Sequence, residues 1–242
     1  MRVVSMVPSW TETLIWAGVN VVGRTRFCLH PEDRVSEIPI VGGTKNWNLD
    51  KVRGCEPDLL VLDKEENPRE MAEEESLPFW ASHVRGVDCL AEELQRLSVR
   101  LGNRRLSDLS DRWRALTELE PKPVAPRDLP GFVEWGRKPT RPISSVVYVI
   151  WRDPWMAVGP KTFIGSMLAR LGLPVHPFES RYPEFEPSEV PPDSLLLFSS
   201  EPYPFLRKRE GLKEIGRPFA FVGGEKFSWF GIRSLQFLEA HS

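Results

Sequence analysis

Short continuous apolar runs recur along this chain, and they constrain its fold more than any other feature. Asp58-Leu59-Leu60-Val61-Leu62 offers apolar side chains to both faces of a pleat after its first residue. Such a run is buried on both sides, as happens in a parallel sheet covered by helices. Val3 to Val7, Val21 to Thr25, Val146 to Trp151, Ser194 to Phe198 and Phe219 to Val222 are of the same kind. An extended piece at Ile38 to Gly43 and a strand at Leu77 to Ala81 complete the set.

Helical segments lie between many of these runs. Trp10 to Ala17 follows Ser9, and Glu12 stands three residues on, the spacing of a capping box; Gly18 ends it. Leu49 to Cys55, Glu70 to Ser76 and Lys161 to Leu171 read as helices, and Trp229 to His241 as a closing one. Asp88 to Leu101 carries Leu90, Leu94, Leu97 and Leu101 on one face, and Leu106 to Leu119 repeats the pattern with Leu109, Trp113 and Leu116. Six prolines between Pro121 and Pro142 predict a stiff, irregular connector, with Phe132, Val133 and Trp135 as a docking element or a cap on the preceding helix. Alternating strands and helices predict an α/β fold of two Rossmann-like lobes with mostly parallel central sheets. The lobes are expected at 1–103 and 144–242, joined by a single long helix and the connector at 104–143.

Composition narrows the function. Net charge is -2, against the basic excess of a nucleic-acid binder. Met1-Arg2 leads straight into the first strand, without an apolar leader and cleavage site. No segment reaches the roughly 18–20 apolar residues that span a bilayer. Three cysteines, Cys28, Cys55 and Cys89, make no paired framework. The expectation is a cytoplasmic chain that does not insert into membranes, or a periplasmic or extracellular one if a leader precedes it.

Ligands of open α/β sheets bind beyond the C-terminal ends of the strands. Here those ends carry Trp10, Phe27, Trp47, Trp151, Trp155, Tyr203, Trp229 and Phe230, flat faces for a bulky ligand. They also carry Arg26, Lys45, Lys64 and Arg152, cations suited to carboxylates or phosphates.

The ordered set Arg2-Val3-Val4-Ser5-Met6-Val7-Pro8-Ser9-Trp10-Thr11-Glu12, Val41-Gly42-Gly43, Asn48-Leu49-Asp50-Lys51-Val52 and Glu56-Pro57-Asp58-Leu59-Leu60 resembles the cobalamin and iron-siderophore receptors of ABC importers. Arg26-Phe27-Cys28-Leu29-His30-Pro31, Lys64-Glu65-Glu66-Asn67 and Ile150-Trp151-Arg152-Asp153-Pro154-Trp155 resemble a subgroup without export signals. The resemblance covers most of the chain outside 121–142. It implies a class III periplasmic-binding-protein fold with a helical backbone, and a corrinoid, haem or ferric chelate in the inter-lobe cleft.

On this reading Trp47, Trp151, Trp155 and Trp229 form stacking walls, and Trp10, Phe27 and Tyr203 also bind the ligand. Arg26, Lys45, Lys64 and Arg152 hold acidic groups, and Glu66 also binds the ligand. Ser9 and Gly43 offer backbone donors, and Cys28 and His30 face the ligand's metal. The partner is a small molecule, and an ABC permease if the chain is exported; no catalytic cofactor is expected. Two other classes compete. A cytosolic sensor would pass ligand occupancy to a partner protein. An enzyme would use Cys28 with His30, or a metal held by them and Glu65-Glu66; neither a G-x-S-x-G elbow nor a P-loop supports it.

Overall fold

The apolar runs form the middle of two sheets. The computed structural model describes residues 1–125, 128, 129 and 131–241, with Lys213 described by its backbone alone. Two compact units result: Met1–Glu118 with Trp229–Gln236, and Leu119–Ser228 with Phe237–Ser242.

The first unit contains β1 (Arg2–Ser5), α1 (Pro8–Trp16), β2 (Asn20–Thr25), α2 (Glu32–Val35), β3 (Ile40–Gly42), α3 (Leu49–Gly54), β4 (Leu59–Asp63), β5 (Phe79–Ser82), α4 (Leu90–Leu101) and α5 (Arg104–Glu118). Its five strands are all parallel, in the order β3-β2-β1-β4-β5. That order reverses direction between β1 and β4, so a crevice is expected at their C-terminal ends. The centre is apolar on both faces: Val3, Val4 and all five residues of β4 are buried. Gly23 on β2 is required, since a Cβ there would lie 2.9 Å from Val4 Cγ2 and 3.2 Å from Cys55 Sγ. Helices α4 and α5 pack on each other, burying Leu90, Leu94 and Leu97 with Leu106, Leu109 and Trp113. The predicted leucine stripes therefore meet.

The second unit contains β6 (Phe132–Arg137), β7 (Val146–Trp151), β8 (Met156–Ala157), α6 (Phe163–Arg170), β9 (Leu195–Ser199), β10 (Phe219–Val222) and α7 (Glu225–Ser228). Helix α8 (Ile232–Glu239) begins within the first unit's closing segment and ends among the last residues of the second. The sheet order is β6-β10-β9-β7-β8, with β7, β9 and β10 parallel and the two edge strands antiparallel. Phe198 at its core meets Phe205, Phe219 and Phe221 at 4.7, 5.5 and 6.0 Å between ring centroids.

Three local expectations fail. The capping box at Ser9 does not form: Pro8, with its preset φ, takes the first turn, the N-cap is Val7, and Ser9 lies inside the helix. Glu12 instead pairs with Arg233 through two hydrogen bonds of 2.7 and 2.8 Å. Glu70 to Ser76 is only a 3-10 turn at Arg69–Met71, because Glu74 turns its carboxylate onto the Ser76 amide and hydroxyl in competition with a helix. The irregular connector contains a strand: Phe132–Arg137 pairs with β10, and the prolines flank those six residues without interrupting them. Pro126 and Pro130, part of that connector, lie outside the described residues.

Candidate functional site

The strand ends of the first unit are fixed by buried polar side chains. Asn67, four residues beyond β4, is nearly buried. Its Oδ1 accepts the Asp63 amide at 2.9 Å, and its Nδ2 donates to Met6 O at 3.1 Å and Thr44 O at 2.9 Å. One amide thus ties the ends of β1, β3 and β4 together at the reversal point. Asp63, 2 % exposed, accepts from Ser82 Oγ at 2.6 Å, from the Val84 amide at 3.1 Å and from the Glu65 amide at 2.9 Å. Arg24, on β2, is buried, and its side chain reaches into the segment beyond the strand to donate to the carbonyls of Val35, Ile38, Thr25 and Cys28.

That framework presents part of the anticipated set. Arg26 and Phe27 are exposed, with the guanidinium 5.4 Å from the ring centroid. Gly43 lies beneath them: a Cβ there would stand 2.8 Å from Arg26 Nη2 and 3.3 Å from Phe27 Cε2. Lys45 and Lys64 are exposed beside Glu65 and Glu66, which are half-buried. Lys45 Nζ donates to Glu65 O at 2.8 Å, and Glu65 Oε1 lies 3.5 Å from His83 Nε2. Trp229 is mostly buried; Arg233 stands 5.3 Å from its ring and the His30 ring meets it edge-on at 5.1 Å.

Five residues anticipated as facing the ligand or its metal have other work. Trp10 is fully buried: its Nε1 donates to Ser82 Oγ at 2.7 Å, and its ring meets Trp80 and Phe230 edge-on. It is core, because the residue two after Pro8 faces the sheet under α1. Cys28 is fully buried too, its Sγ 3.0 Å from Thr11 Oγ1 and 3.2 Å from Thr25 Oγ1. Burial pushes its thiol up, against the opposing pull of those hydroxyls. A protonated, enclosed thiol faces no metal. Among the described residues no three His, Cys, Asp or Glu side chains gather as a metal site. The Gly43 amide is spent on Asn46 O at 2.7 Å, so it is no spare donor. Trp47 packs against the apolar core cluster around Val4, Met6 and Val41. Ser9 is buried, its carbonyl accepting Thr13 Oγ1.

In the second unit the anticipated residues do gather. After β7 the chain turns at Asp153, whose φ of 68° is one aspartate tolerates. The turn sets Trp151, 41 % exposed, edge-on to Tyr203 at 5.5 Å. Arg152 lies 5.2 Å from the Trp155 ring. Trp155 and Tyr203 both rest on Phe205, at 6.2 and 4.5 Å, and Lys208 Nζ stands 4.5 Å from the Tyr203 ring. Behind them Tyr148 Oη donates to Ser199 Oγ at 3.0 Å and Ser228 Oγ to Glu201 Oε1 at 2.6 Å. Contacts of this kind set positive charge beside flat aromatic faces.

The whole chain superposes on solved binding proteins. The periplasmic vitamin B12 binding protein BtuF of Vibrio cholerae matches with a TM-score of 0.68 at 16% identity, over 99% of this chain and 94% of that one. The chain has the periplasmic-binding-protein fold. The periplasmic heme-binding protein RhuT from Roseiflexus sp. RS-1 matches this binding-protein fold at 0.70 and 19% identity, over 99% and 95% of the two chains. The periplasmic heme-binding protein HutB of Vibrio cholerae does so at 0.71 and 15%, over 99% and 96%. No family model and no curated protein matches the sequence.

The residues that sequence reasoning left without a role are Asp63, Asn67, Arg24, Ser82 and Thr25. Their signal was faint but present: each polar group stands next to, or within a few residues of, an apolar strand whose burial it must share.

Proposed function

We propose that this chain is a non-catalytic receptor that reversibly binds a bulky, acidic, cofactor-like molecule: a corrinoid, a haem or a ferric chelate. The observation that carries the reading is the pairing of cations with aromatics at strand ends: Arg26 with exposed Phe27, and Arg152 with half-buried Trp155, beside exposed Trp151 and half-buried Tyr203. Rings take a macrocycle face and guanidinium groups take its carboxylates. Lys45 and Lys64 add charge. The fold supports this reading, since solved proteins that share it are named for vitamin B12 and heme. With Cys28 enclosed, the ligand's own chelate holds its metal, and His30 is the one remaining metal-facing candidate. The cytoplasmic setting is part of the proposal, supported by three free thiols, as a reducing compartment allows. An exported form would deliver to an ABC permease.

The test is titration of the intact protein with cyanocobalamin, cobinamide, haemin and a ferric siderophore, followed by tryptophan fluorescence and calorimetry. Saturable quenching by one of them, weakened at least tenfold in Arg26→Ala and Arg152→Ala, supports the reading. No saturable response to any of the four overturns it.

A further inference from the structure

The second unit has a further concavity at the other end of its sheet. β6 runs antiparallel to β10, with Arg137 opposite Phe219, so β6 ends where the parallel strands begin. Val146 opens β7 there, Pro218 precedes β10, and Asp193 stands two residues before β9. β7 is six residues long. At about 3.3 Å per residue, this end is roughly 16 Å from Trp151 and its neighbours.

Two cavities open side by side there, of about 580 and 590 Å³, and both are lined by Lys138, Pro139 and Arg141. Each volume is in the range of small-molecule sites, about 300–1,000 Å³. The first is walled by apolar groups, among them Trp135, Ile143, Val146 and Leu173. Its wall at Val124 follows a tight crossing: a Cβ on Gly172 (φ +69°) would stand 2.6 Å from Pro123 Cα. The second has a more polar lining that adds Arg137 and Asp193. Asp193 is occupied, accepting Ser144 Oγ at 2.7 Å. Lys138 and Arg141 are exposed, and neither has a carboxylate partner among the described residues.

We propose that this concavity is a second small-molecule site, for an amphiphilic anion whose apolar ring or chain enters the Trp135–Leu173 cavity while its carboxylate, phosphate or sulfonate meets Lys138 and Arg141. The division of labour is chemical. An apolar wall without convergent donors holds hydrocarbon, and two uncompensated cations at its mouth select an anionic head. The location is separate from the strand-end loops, so occupancy of one does not require the other.

The probe is 1-anilinonaphthalene-8-sulfonate, an aromatic sulfonate, titrated into the intact protein and displaced by laurate or by its neutral counterpart 1-dodecanol. One probe per chain is expected, displaced at least tenfold more effectively by laurate than by the alcohol. Lys138→Glu/Arg141→Glu changes exposed side chains only, and should weaken probe binding at least tenfold with cooperative unfolding unchanged. Ile143→Trp, which fills the apolar cavity and keeps both cations, should do the same. Two results overturn the proposal: affinity within twofold of the parent in both variants, or probe binding lost in Arg26→Ala/Lys64→Ala instead.

Discussion

Asn67→Ala is the sharpest test of how the strand ends are held. The parent side chain makes three hydrogen bonds, to the Asp63 amide, Met6 O and Thr44 O. A buried hydrogen bond is worth about 0.5–1.5 kcal/mol net, and a buried group left unmet costs more. Alanine leaves one amide and two carbonyls without that partner, so a loss of about 3 kcal/mol is expected. For a chain of this size that corresponds to roughly 6–12 °C in the melting temperature. Urea unfolding followed by circular dichroism reads it as a lower midpoint at unchanged slope. Asn67→Asp keeps the acceptor but aims a carboxylate at two carbonyl oxygens, and should destabilise at least as much at neutral pH. Because the amide also positions the turns that carry Lys45 and Lys64, the affinity for the strand-end ligand should fall in parallel. A loss under about 1 kcal/mol would refute the argument that this amide clamps three strands.

Trp10→Phe keeps one aromatic ring but removes the rest of the indole and the donor to Ser82, and should cost about 2–4 kcal/mol in chemical unfolding with ligand binding unaltered once folded; selective loss of binding would contradict its place in the core. Burial raises the folded-state pKa of Cys28 above the ordinary 9.0, and burial raises Tyr148 as well. Both are neutral when folded, so their contribution is complete below pH 9.0 and is lost as pH rises further; stability measured from pH 7 to 11 should be flat at first and then fall, and a rise above pH 9.0 would sink the reasoning. The same enclosure predicts that a thiol reagent at pH 8 modifies Cys89, which is only half-buried, well before Cys28; equal rates by mass spectrometry would contradict it. Gly43→Ala places a methyl against the movable end of Arg26, so thermal stability should change little while the affinity for an acidic ligand falls several-fold; unchanged affinity would show that Arg26 does not meet the ligand.

Much of the fold was legible because burial on two faces leaves a mark in sequence. Val3–Val7, Asp58–Leu62, Val146–Trp151, Ser194–Phe198 and Phe219–Val222 each became a strand to within a residue or two. Gly18 and Gly102 stopped their helices at positive φ. The aromatic group Trp151, Trp155 and Tyr203 was also visible, since two of its members share one turn. What did not show were arrangements set by partners far along the chain. β6 exists because β10 offers it an edge, and no local pattern among prolines announces that. Nor does any local pattern separate Trp10 from Trp151: each lies at or just beyond the C-terminal end of a strand, yet one meets Ser82 and Trp80, more than sixty residues away, and the other meets solvent. Cys28 and His30 looked like a pair, but Thr11 and Thr25 enclose the thiol. The sequence by itself determined the elements, their α/β alternation and which strand ends carry charge and rings. Only the tertiary structure decided which of those side chains face outward, because exposure depends on the neighbours that packing supplies, and hydrophobic periodicity reports a face without naming what covers it.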